Sequence, residues 1–278
     1  MAHETLELAG DGVGGAVRIG DTVRRPAGPW TPTVHALLDH LTTAGLDSIP
    51  RACGVDEEGR EVLTFIAGET VYSDRAEDAT GWPDWVWSDE LLVEAARWLA
   101  RYHRAVASYR PTNAHWRSGP RPLASDEIVC HFDFRPANVV VTEPDGGGRR
   151  RLVGVVDWDT AGPGRAIFDV ALMAWSWVPL WDVRRGNVEE VARRLALLTT
   201  AYGRFDPLEV LAAVPDRLTA AATTRAMAAN GDAAMERLVA ADLANHDRME
   251  KVAGRLRAYL PLVAGELASA FPLRSARE

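Results

Sequence analysis

The amino-acid sequence predicts an α+β protein, with a small antiparallel sheet and one helix in its N-terminal part and a mainly helical C-terminal part. Two observations support this prediction. Short apolar runs separated by turn residues fill the first third of the 278 residues, which is typical of paired strands. From Ser88 onward, apolar residues recur at three- and four-residue intervals, the spacing that places them on one face of a helix.

The N-terminal part has the predicted order strand, strand, helix, strand, strand. Gly20 and Asp21 form a hairpin turn signal between the first two strands. Thr31 or Thr33 is expected to cap the helix, which ends at Gly45. The predicted elements are strands 16–19 and 22–25, a helix with Val34, Leu37, Leu38 and Leu41 on its apolar face, and strands 49–55 and 61–66.

The C-terminal part follows a linker near residue 68. Ser88 caps a predicted helix over residues 89–109, and nearly everything beyond Ile167 has a helical pattern. Short strands are predicted between these helical regions, at 128–130, 139–142 and 152–156. We therefore expect two domains, residues 1–68 and residues 69–278.

The composition excludes several functions. The net charge is −8 and the isoelectric point is near 5.4, so no basic surface is available for nucleic acid. No apolar run approaches the length of about 18 residues that spans a membrane, and the acidic first ten residues do not resemble a signal peptide. Cys53 and Cys130 lack metal-type spacing, and we expect a cytoplasmic protein with reduced thiols.

One constellation of polar residues carries the chemistry. Residues 131–138 have the sequence HFDFRPAN, and VVDWD follows at 155–159 after one hairpin. Asp133 lies in a loop after a strand and can accept the proton of an attacking hydroxyl. Asn138 enters the next strand and Asp157 leaves the strand paired with it, so their oxygens converge on a site suited to Mg²⁺. Such an ion bridges a triphosphate and neutralises charge that develops in phosphoryl transfer.

At these residues the chain resembles the aminoglycoside phosphotransferase and choline-kinase-like family, the small-molecule relatives of the protein kinases. The resemblance rests on the 131–138 loop, on DWD at 157–159 and on DVA at 169–171 after a Gly-Pro-Gly stretch. It implies a protein-kinase-like two-lobed fold. The N-terminal domain would be the nucleotide-binding lobe, and the C-terminal domain would be the helical lobe with the catalytic loop and the acceptor site.

The resemblance also implies a role for each residue of the constellation. Asp133 would be the catalytic base, and His131 would orient its loop. Asn138 and Asp157 would be the metal ligands, with Asp159 as a second acid that touches the metal or caps the turn. The implied cofactors are Mg²⁺ and ATP or GTP as phosphoryl donor. Asp169, the first residue of the DVA sequence, would brace the loop from the next helix.

Two N-terminal segments fit a nucleotide site. Residues 10–17, GDGVGGAV, match the glycine-rich pattern whose backbone N–H groups cover phosphates, although a flexible hairpin is the alternative. The glycines assigned to the phosphates are Gly12, Gly14 and Gly15. By the same resemblance, the linker at 65–69 is the hinge between lobes. The backbone expected to bind the purine is that of Phe65, Ile66 and Ala67.

The lysine that the family's third strand presents to the triphosphate is missing. The sole lysine of the chain is Lys251, and two consecutive arginines, Arg24 and Arg25, stand at about the expected place. We expect Arg25, ahead of Arg24, to replace the lysine because arginine keeps the charge and grips phosphate. The alternative is a solvated strand end. The following helix offers His35 or Asp39 as a partner rather than a glutamate.

The sequence therefore predicts an enzyme, an ATP- or GTP-dependent O-phosphotransferase that acts on a hydroxyl of a small molecule. One acceptor class is an aminoglycoside-like antibiotic, and the acidic balance suits a cationic acceptor. The alternatives are a metabolic kinase of the choline, homoserine or sugar type and, because of the missing lysine, a nucleotide-binding pseudokinase. The expected partners are the triphosphate and the acceptor, without nucleic acid or membrane, and the chain is expected to be a monomer or homodimer.

Overall fold

The structure is a computed structural model, and it describes residues 5–7, 15–71, 82–178, 180 and 188–228. The chain divides into two compact units, Met1–Ala166 and Ile167–Glu278. The first unit holds the sheet, two helices and several short hairpins, and the second is mainly helical where it is described. The predicted lobe boundary between residues 68 and 69 stays a prediction.

The N-terminal sheet consists of strands that are short and antiparallel. They are β1 (Thr5–Glu7), β2 (Val17–Ile19), β3 (Thr22–Pro26), β4 (Ala52–Val55) and β5 (Arg60–Thr64). Their spatial order is β1-β2-β3-β5-β4. Gly20 has a φ of 60°, as the predicted turn between β2 and β3 requires. In the pairing of β3 with β5, Arg25 lies opposite Glu61. The four predicted strands are confirmed, and β1 is an additional edge strand.

One helix packs against this sheet. The buried residues of α1 (Thr31–Thr43) include Val34, Leu37, Leu38 and Leu41, as the helical spacing predicted. The predicted cap is wrong, because Trp30 occupies the N-cap position and makes no side-chain cap bond. The Thr31 hydroxyl instead accepts a hydrogen bond from the Gly28 N–H at 2.9 Å. The Thr33 hydroxyl accepts one from the His115 N–H, also at 2.9 Å.

The rest of the first unit surrounds a second helix, α2 (Asp89–Ala105), whose predicted cap is confirmed. The Leu91 N–H donates to the Ser88 hydroxyl at 3.3 Å. Three short antiparallel pairs accompany α2. They are β6 (His115–Trp116) with β7 (Gly119–Pro120), β8 (Ile128–Cys130) with β11 (Gly162–Gly164), and β9 (Val139–Val141) with β10 (Leu152–Val155).

An aromatic cluster fixes the segment between β8 and β9. The rings of Trp98 and Phe134 stack with centroids 5.3 Å apart, and Tyr102 meets Trp158 edge-on at 5.3 Å. All four side chains are fully buried. The Tyr102 hydroxyl donates to the carbonyl of Val129 at 2.8 Å. Since such aromatic pairs contribute about 0.5–1.5 kcal/mol each beyond their burial, α2 holds the loop after β8 firmly.

The second unit contains α3 (Ala166–Trp177), α4 (Val188–Tyr202) and α5 (Pro207–Ala228). The Arg194 guanidinium of α4 donates to the carbonyl of Trp177 at 2.9 Å and so joins the first two of these helices. Asp169, the first acid of the DVA sequence, is fully buried in the first turn of α3, and its bracing role stays a prediction. Among the described helices, none is both long and apolar enough to cross a membrane.

Candidate active site

The loop between β8 and β9 places Asp133 in a local network. The Asn138 amide Nδ2 donates to Oδ2 of Asp133 at 2.7 Å and to its backbone oxygen at 2.9 Å. Nε of Arg135 lies 3.0 Å from Oδ1, and Nδ1 of His131 accepts the Asp133 N–H at 3.2 Å. Both carboxylate oxygens therefore have a partner within the same loop, and the loop itself sets the position of Asp133.

His131 anchors this loop through a buried side chain and a backbone hydrogen bond. Its side chain is fully buried, and its ring lies 4.6 Å from that of Trp158, centroid to centroid. The Thr160 hydroxyl donates to the carbonyl of His131 at 2.9 Å. The next residue, Phe132, has a φ of 62°, a left-handed conformation that costs about 1–2 kcal/mol in a residue with a side chain. These contacts fit the predicted orienting role of His131, which stays a prediction.

The environment of Asp133 makes its carboxylate a stronger base. Burial raises the pKa of Asp133 above its ordinary value. The positive charge of Arg135 lowers this pKa and the negative charge of Asp157 raises it further, and the balance lies above the ordinary value. A carboxyl group with a raised pKa holds a transferred proton more readily, as a general base must.

Asn138 and Asp157 meet at the ends of β9 and β10. The N–H of Val156 donates to the carbonyl of Asn138 at 3.0 Å, which brings the residue before Asp157 against Asn138. Asp157 has a φ of 62°, and its side chain is 41% exposed. Because the Asn138 amide nitrogen donates to Asp133, the amide oxygen is the atom of this side chain that could serve as a metal ligand.

These residues fit a magnesium ion that arrives with a triphosphate. Among the described residues, no group of three or more His, Cys, Asp or Glu side chains is arranged to hold a metal ion. The amide oxygen of Asn138 and the carboxylates of Asp157 and Asp159 are the hard oxygen donors that Mg²⁺ prefers. Mg²⁺ typically takes only one or two protein carboxylates and completes its shell with phosphates and water, so the incomplete protein set suits it.

The guanidinium of Arg25 joins the sheet to these acids. Nη1 donates to Oδ1 of Asp157 at 3.0 Å, and Nη2 donates to Oδ1 of Asp159 at 2.5 Å. Nε donates to Oε1 of Glu61. Burial alone would lower the pKa of Arg25, but the charges of Asp159, Glu61 and Asp157 raise it. Arg25 is therefore a permanent cation beside the predicted metal ligands.

The acidic partner of Arg25 comes from the neighbouring strand rather than from the helix. Glu61 is 1% exposed, and its second oxygen lies 3.2 Å from Nε2 of His35 on α1. The predicted His35 thus contacts the partner of Arg25, whereas Asp39 is exposed. Nε of Arg24 instead lies 3.3 Å from Oδ2 of Asp56. The sequence analysis missed Glu61, although an acid opposite an arginine on paired strands is a usable signal.

Asp159 lies between two arginines. Its Oδ1 accepts from Arg25, and its Oδ2 lies 3.7 Å from Nη1 of Arg117. Burial raises the pKa of Asp159, and the Arg25 charge lowers it, with the balance above the ordinary value. Arg117 follows β6, and its guanidinium carbon lies 5.1 Å from the centroid of the Trp30 ring. No motif or spacing marks Arg117, and the sequence analysis did not identify it.

The predicted hinge has open backbone groups. The N–H of Phe65 donates to a carbonyl of the β2–β3 turn at 2.8 Å, and Glu69 exchanges two backbone hydrogen bonds with β9. Between them, residues 66–68 make no backbone hydrogen bond to any described residue. Ile66 packs closely on Gly154, where an added Cβ would lie 2.8 Å from the Ile66 side chain. The backbone of Ile66 and Ala67 can therefore hydrogen-bond a ligand, but the Phe65 N–H is already used.

The glycine-rich segment is described only in part. Gly15 is exposed with a φ of 47°, and a Cβ at this position would meet no atom within 4 Å. Gly12 and Gly14 lie outside the described residues. Gly15 leads into β2. Its assignment to phosphate stays a prediction.

Comparison with known proteins identifies the family. A family model described as "Phosphotransferase enzyme family" matches residues 23–208. The trifolitoxin immunity protein of Rhizobium leguminosarum bv. trifolii is 35% identical to this chain over 213 residues, covering 72% of this chain and 75% of that protein. The chain belongs to this phosphotransferase family. The prediction of an enzyme, a phosphotransferase of the small-molecule kinase type, is confirmed.

Solved structures confirm the fold class. The amicoumacin kinase hAmiN, in complex with AMP-PNP, Ca²⁺ and Ami, matches with a TM-score of 0.59 and 13% identity, over 90% of this chain and 88% of that one. An aminoglycoside phosphotransferase from Alicyclobacillus acidocaldarius matches with a TM-score of 0.52 and 14% identity, over 97% and 94%. The predicted α+β, protein-kinase-like fold is therefore confirmed.

Proposed function

We propose that this chain transfers a phosphoryl group from ATP or GTP, bound with Mg²⁺, to a hydroxyl of a small molecule. The observation that supports the proposal most strongly is the shared position of Asp133 and Asn138. The side-chain nitrogen of Asn138 donates to the carboxylate of Asp133 at 2.7 Å, and the side-chain oxygen of Asn138 would bind a cation. A proton acceptor and a metal ligand are thereby coupled in one side-chain pair, next to Asp157.

In the proposed reaction, Asp133 accepts the proton of the attacking hydroxyl while Arg135 and Asn138 keep its carboxylate in place. Asn138, Asp157 and Asp159 would hold Mg²⁺, which supplies neutralisation of the charge that develops on the transferred group. His131 would fix the loop through its ring, whose Nδ1 accepts the Asp133 N–H. The rate gain in this proposal would come from positioning and charge.

The donor would bind against the sheet. The open backbone of Ile66 and Ala67 suits the hydrogen-bonding edge of a purine, and Gly12, Gly14 and Gly15 would cover the phosphates. Arg25, which stands at about the place of the missing lysine, would orient Asp157 and Asp159 beside the phosphates. The similar hAmiN structure holds AMP-PNP and Ca²⁺, which supports a nucleoside triphosphate with a divalent cation as the donor. Either ATP or GTP satisfies these contacts.

For the acceptor, we propose a toxic small molecule that phosphorylation inactivates. The relative with 35% identity is a toxin immunity protein, and the fold is shared with kinases of antibiotics. The net charge of −8 favours a cationic acceptor such as an aminoglycoside. Because the donor is a nucleotide of the cell interior, the reaction would take place in the cytoplasm.

The test is a panel of acceptors incubated with the chain, Mg²⁺ and ATP or GTP. The panel contains aminoglycosides, macrolides, choline, homoserine and simple sugars, and mass spectrometry detects a phosphorylated product. We expect at least one antibiotic to be phosphorylated and the metabolites to be poor acceptors. A product formed only from choline, homoserine or a sugar would support the metabolic alternative. Triphosphate binding without any product across the panel would contradict phosphoryl transfer to these acceptors.

A further inference from the structure

Arg25 and Arg117 both approach Asp159 from outside the catalytic loop, but only one of them is fully engaged. Each of the three nitrogens of Arg25 faces a carboxylate, and the side chain is 16% exposed. A phosphate that bound Arg25 would have to displace an existing ion pair. The present contacts of Arg25 therefore favour holding Asp157 and Asp159 in position over gripping the donor.

Arg117 has the opposite arrangement. Its Nη1 lies 3.7 Å from Oδ2 of Asp159, well beyond the 2.7–2.9 Å of a charge-assisted hydrogen bond. It donates no hydrogen bond to any residue in the described ranges, and its side chain is 36% exposed. The ring of Trp30 lies against its guanidinium, a contact that orients the cation without using its N–H groups. Those N–H groups are available to an anion.

The position of Arg117 is fixed on both sides of the β6–β7 hairpin. Trp116 is fully buried and its indole N–H donates to the carbonyl of Arg121 at 3.2 Å. The N–H of His115 donates to Thr33 on α1 at 2.9 Å. A guanidinium on such an anchored hairpin loses little freedom when it binds a ligand, and that raises affinity.

The charge of the site is negative before any donor binds. The groups joined by these ion pairs are the four carboxylates of Glu61, Asp133, Asp157 and Asp159 and the three guanidiniums of Arg25, Arg117 and Arg135. The carboxylates exceed the guanidiniums by one. A triphosphate adds several more negative charges, and Mg²⁺ offsets only part of them. An available guanidinium beside the metal-binding acids is therefore well placed to bind phosphate.

We propose that Arg117 binds the donor's phosphate chain at the phosphates nearest the metal ion, while Arg25 orients the metal-binding acids. This inference rests on the proposed function, because it assigns a residue to the donor of that reaction. On donor binding, Arg117 would exchange its weak contact with Asp159 for a bidentate contact with phosphate. The chain thus replaces the family's lysine with two arginines that divide its work.

The test measures binding, not turnover. Isothermal titration calorimetry with Mg²⁺ compares a non-hydrolysable ATP or GTP analogue with the corresponding diphosphate. In Arg117→Ala, we expect the affinity for the triphosphate analogue to fall about tenfold more than the affinity for the diphosphate, the loss of one charge-assisted contact. Arg117→Lys should recover part of the difference, because it keeps the charge but not the fork.

A matched control is available in Arg151→Ala. Arg151 also has a single long contact, 3.5 Å from Nε to a carboxylate oxygen of Glu94, but that pair involves none of the site residues. We expect Arg151→Ala to bind both nucleotides as the unmodified chain does. Arg117→Gln, which keeps the stem beside Trp30, should repeat the effect of Arg117→Ala and so separates charge loss from a folding defect.

The two possible failures are distinguishable. If the unmodified chain binds no nucleoside triphosphate with Mg²⁺, the proposed function itself fails. If the unmodified chain binds and both Arg117→Ala and Arg117→Gln keep its affinity for the triphosphate analogue, the role of Arg117 is overturned and the proposed function stands.

Discussion

The two half-buried acids of the site, Asp133 and Asp159, are held in different ways. Asp133 takes its partners from its own loop, Asn138 five residues away and Arg135 two residues away. Asp159 is held by Arg25, 134 residues distant in sequence, and lies within 4 Å of Arg117. Burial raises the pKa of both acids, so keeping either carboxylate ionised costs free energy. They differ in where the compensating charge comes from.

The difference separates two tasks. The proposed proton acceptor lies in a loop that an aromatic cluster fixes to α2, and changes in the sheet should leave it in place. The proposed metal-binding acids contact Arg25 of β3, so the sheet that would bind the donor would also orient these acids. Variants in the two regions should therefore separate turnover from donor binding.

The largest expected effect belongs to Asp133→Asn. Turnover should fall by about 10³-fold because the proton acceptor is lost, while the affinity for the triphosphate changes little. The melting temperature at neutral pH should hold or rise. The pKa of Asp133 is raised in the folded state, so its contribution to stability is present at low pH and is lost as pH rises through that pKa. Steady-state kinetics and thermal unfolding measure the two effects.

The control for this variant is Asp126→Asn, which changes an exposed acid in the same way and should leave turnover and melting temperature unchanged. Normal turnover in Asp133→Asn would refute the base assignment. A large drop in melting temperature would show that the acid is structural.

The next effect is on stability and concerns Glu61→Ala. Glu61 is 1% exposed, and its removal leaves the mostly buried Arg25 short of one partner. We expect the free energy of unfolding to fall by about 3 kcal/mol, the lower end for a broken buried ion pair, as measured by urea denaturation. Glu58→Ala, on the same hairpin, removes a carboxylate that is 68% exposed. It should lower the free energy of unfolding by less than about 1 kcal/mol. Equal losses in the two variants would contradict the account.

The smallest effect is a shift in pH dependence. The base must be deprotonated, so kcat/KM falls as pH drops through the pKa of Asp133. Arg135 lowers that pKa, and Arg135→Gln should therefore move the acidic limb of the kcat/KM profile to higher pH. Arg25→Gln should weaken donor binding and leave this limb in place, since Arg25 contacts Asp157 and Asp159 and not Asp133. If the acidic limb of the kcat/KM profile shifts in Arg25→Gln and stays in place in Arg135→Gln, Arg25 rather than Arg135 sets the pKa of the base, which contradicts the account.

The same contrast explains what the sequence could reveal. The predicted convergence of Asn138 and Asp157 needed only one hairpin, because the strands that carry them are neighbours in sequence. Arg25 could be selected because the N-terminal part contains no lysine. Its partner Glu61 required the register of β3 against β5, which the turn chemistry alone did not fix. Arg117 required a hairpin of two-residue strands, too short for any periodicity to mark.

Two smaller differences have the same origin. The edge strand β1 is three residues long and carries no alternation that distinguishes it from a loop. The cap of α1 was misassigned because Thr31 and Thr33 both fit the local pattern, while the Thr33 hydroxyl is engaged by the distant His115. Interactions within a few residues could be predicted from the sequence, and those across the fold could not.

The most direct test of the central claim is the magnesium dependence of triphosphate binding, compared between the unmodified chain and Asp157→Asn. Titration calorimetry with a non-hydrolysable analogue should show that Mg²⁺ tightens binding to the unmodified chain, and that Asp157→Asn loses most of this gain with its melting temperature preserved. Binding that ignores Mg²⁺, or a variant with the full magnesium response, would contradict a metal site built from Asn138 and Asp157.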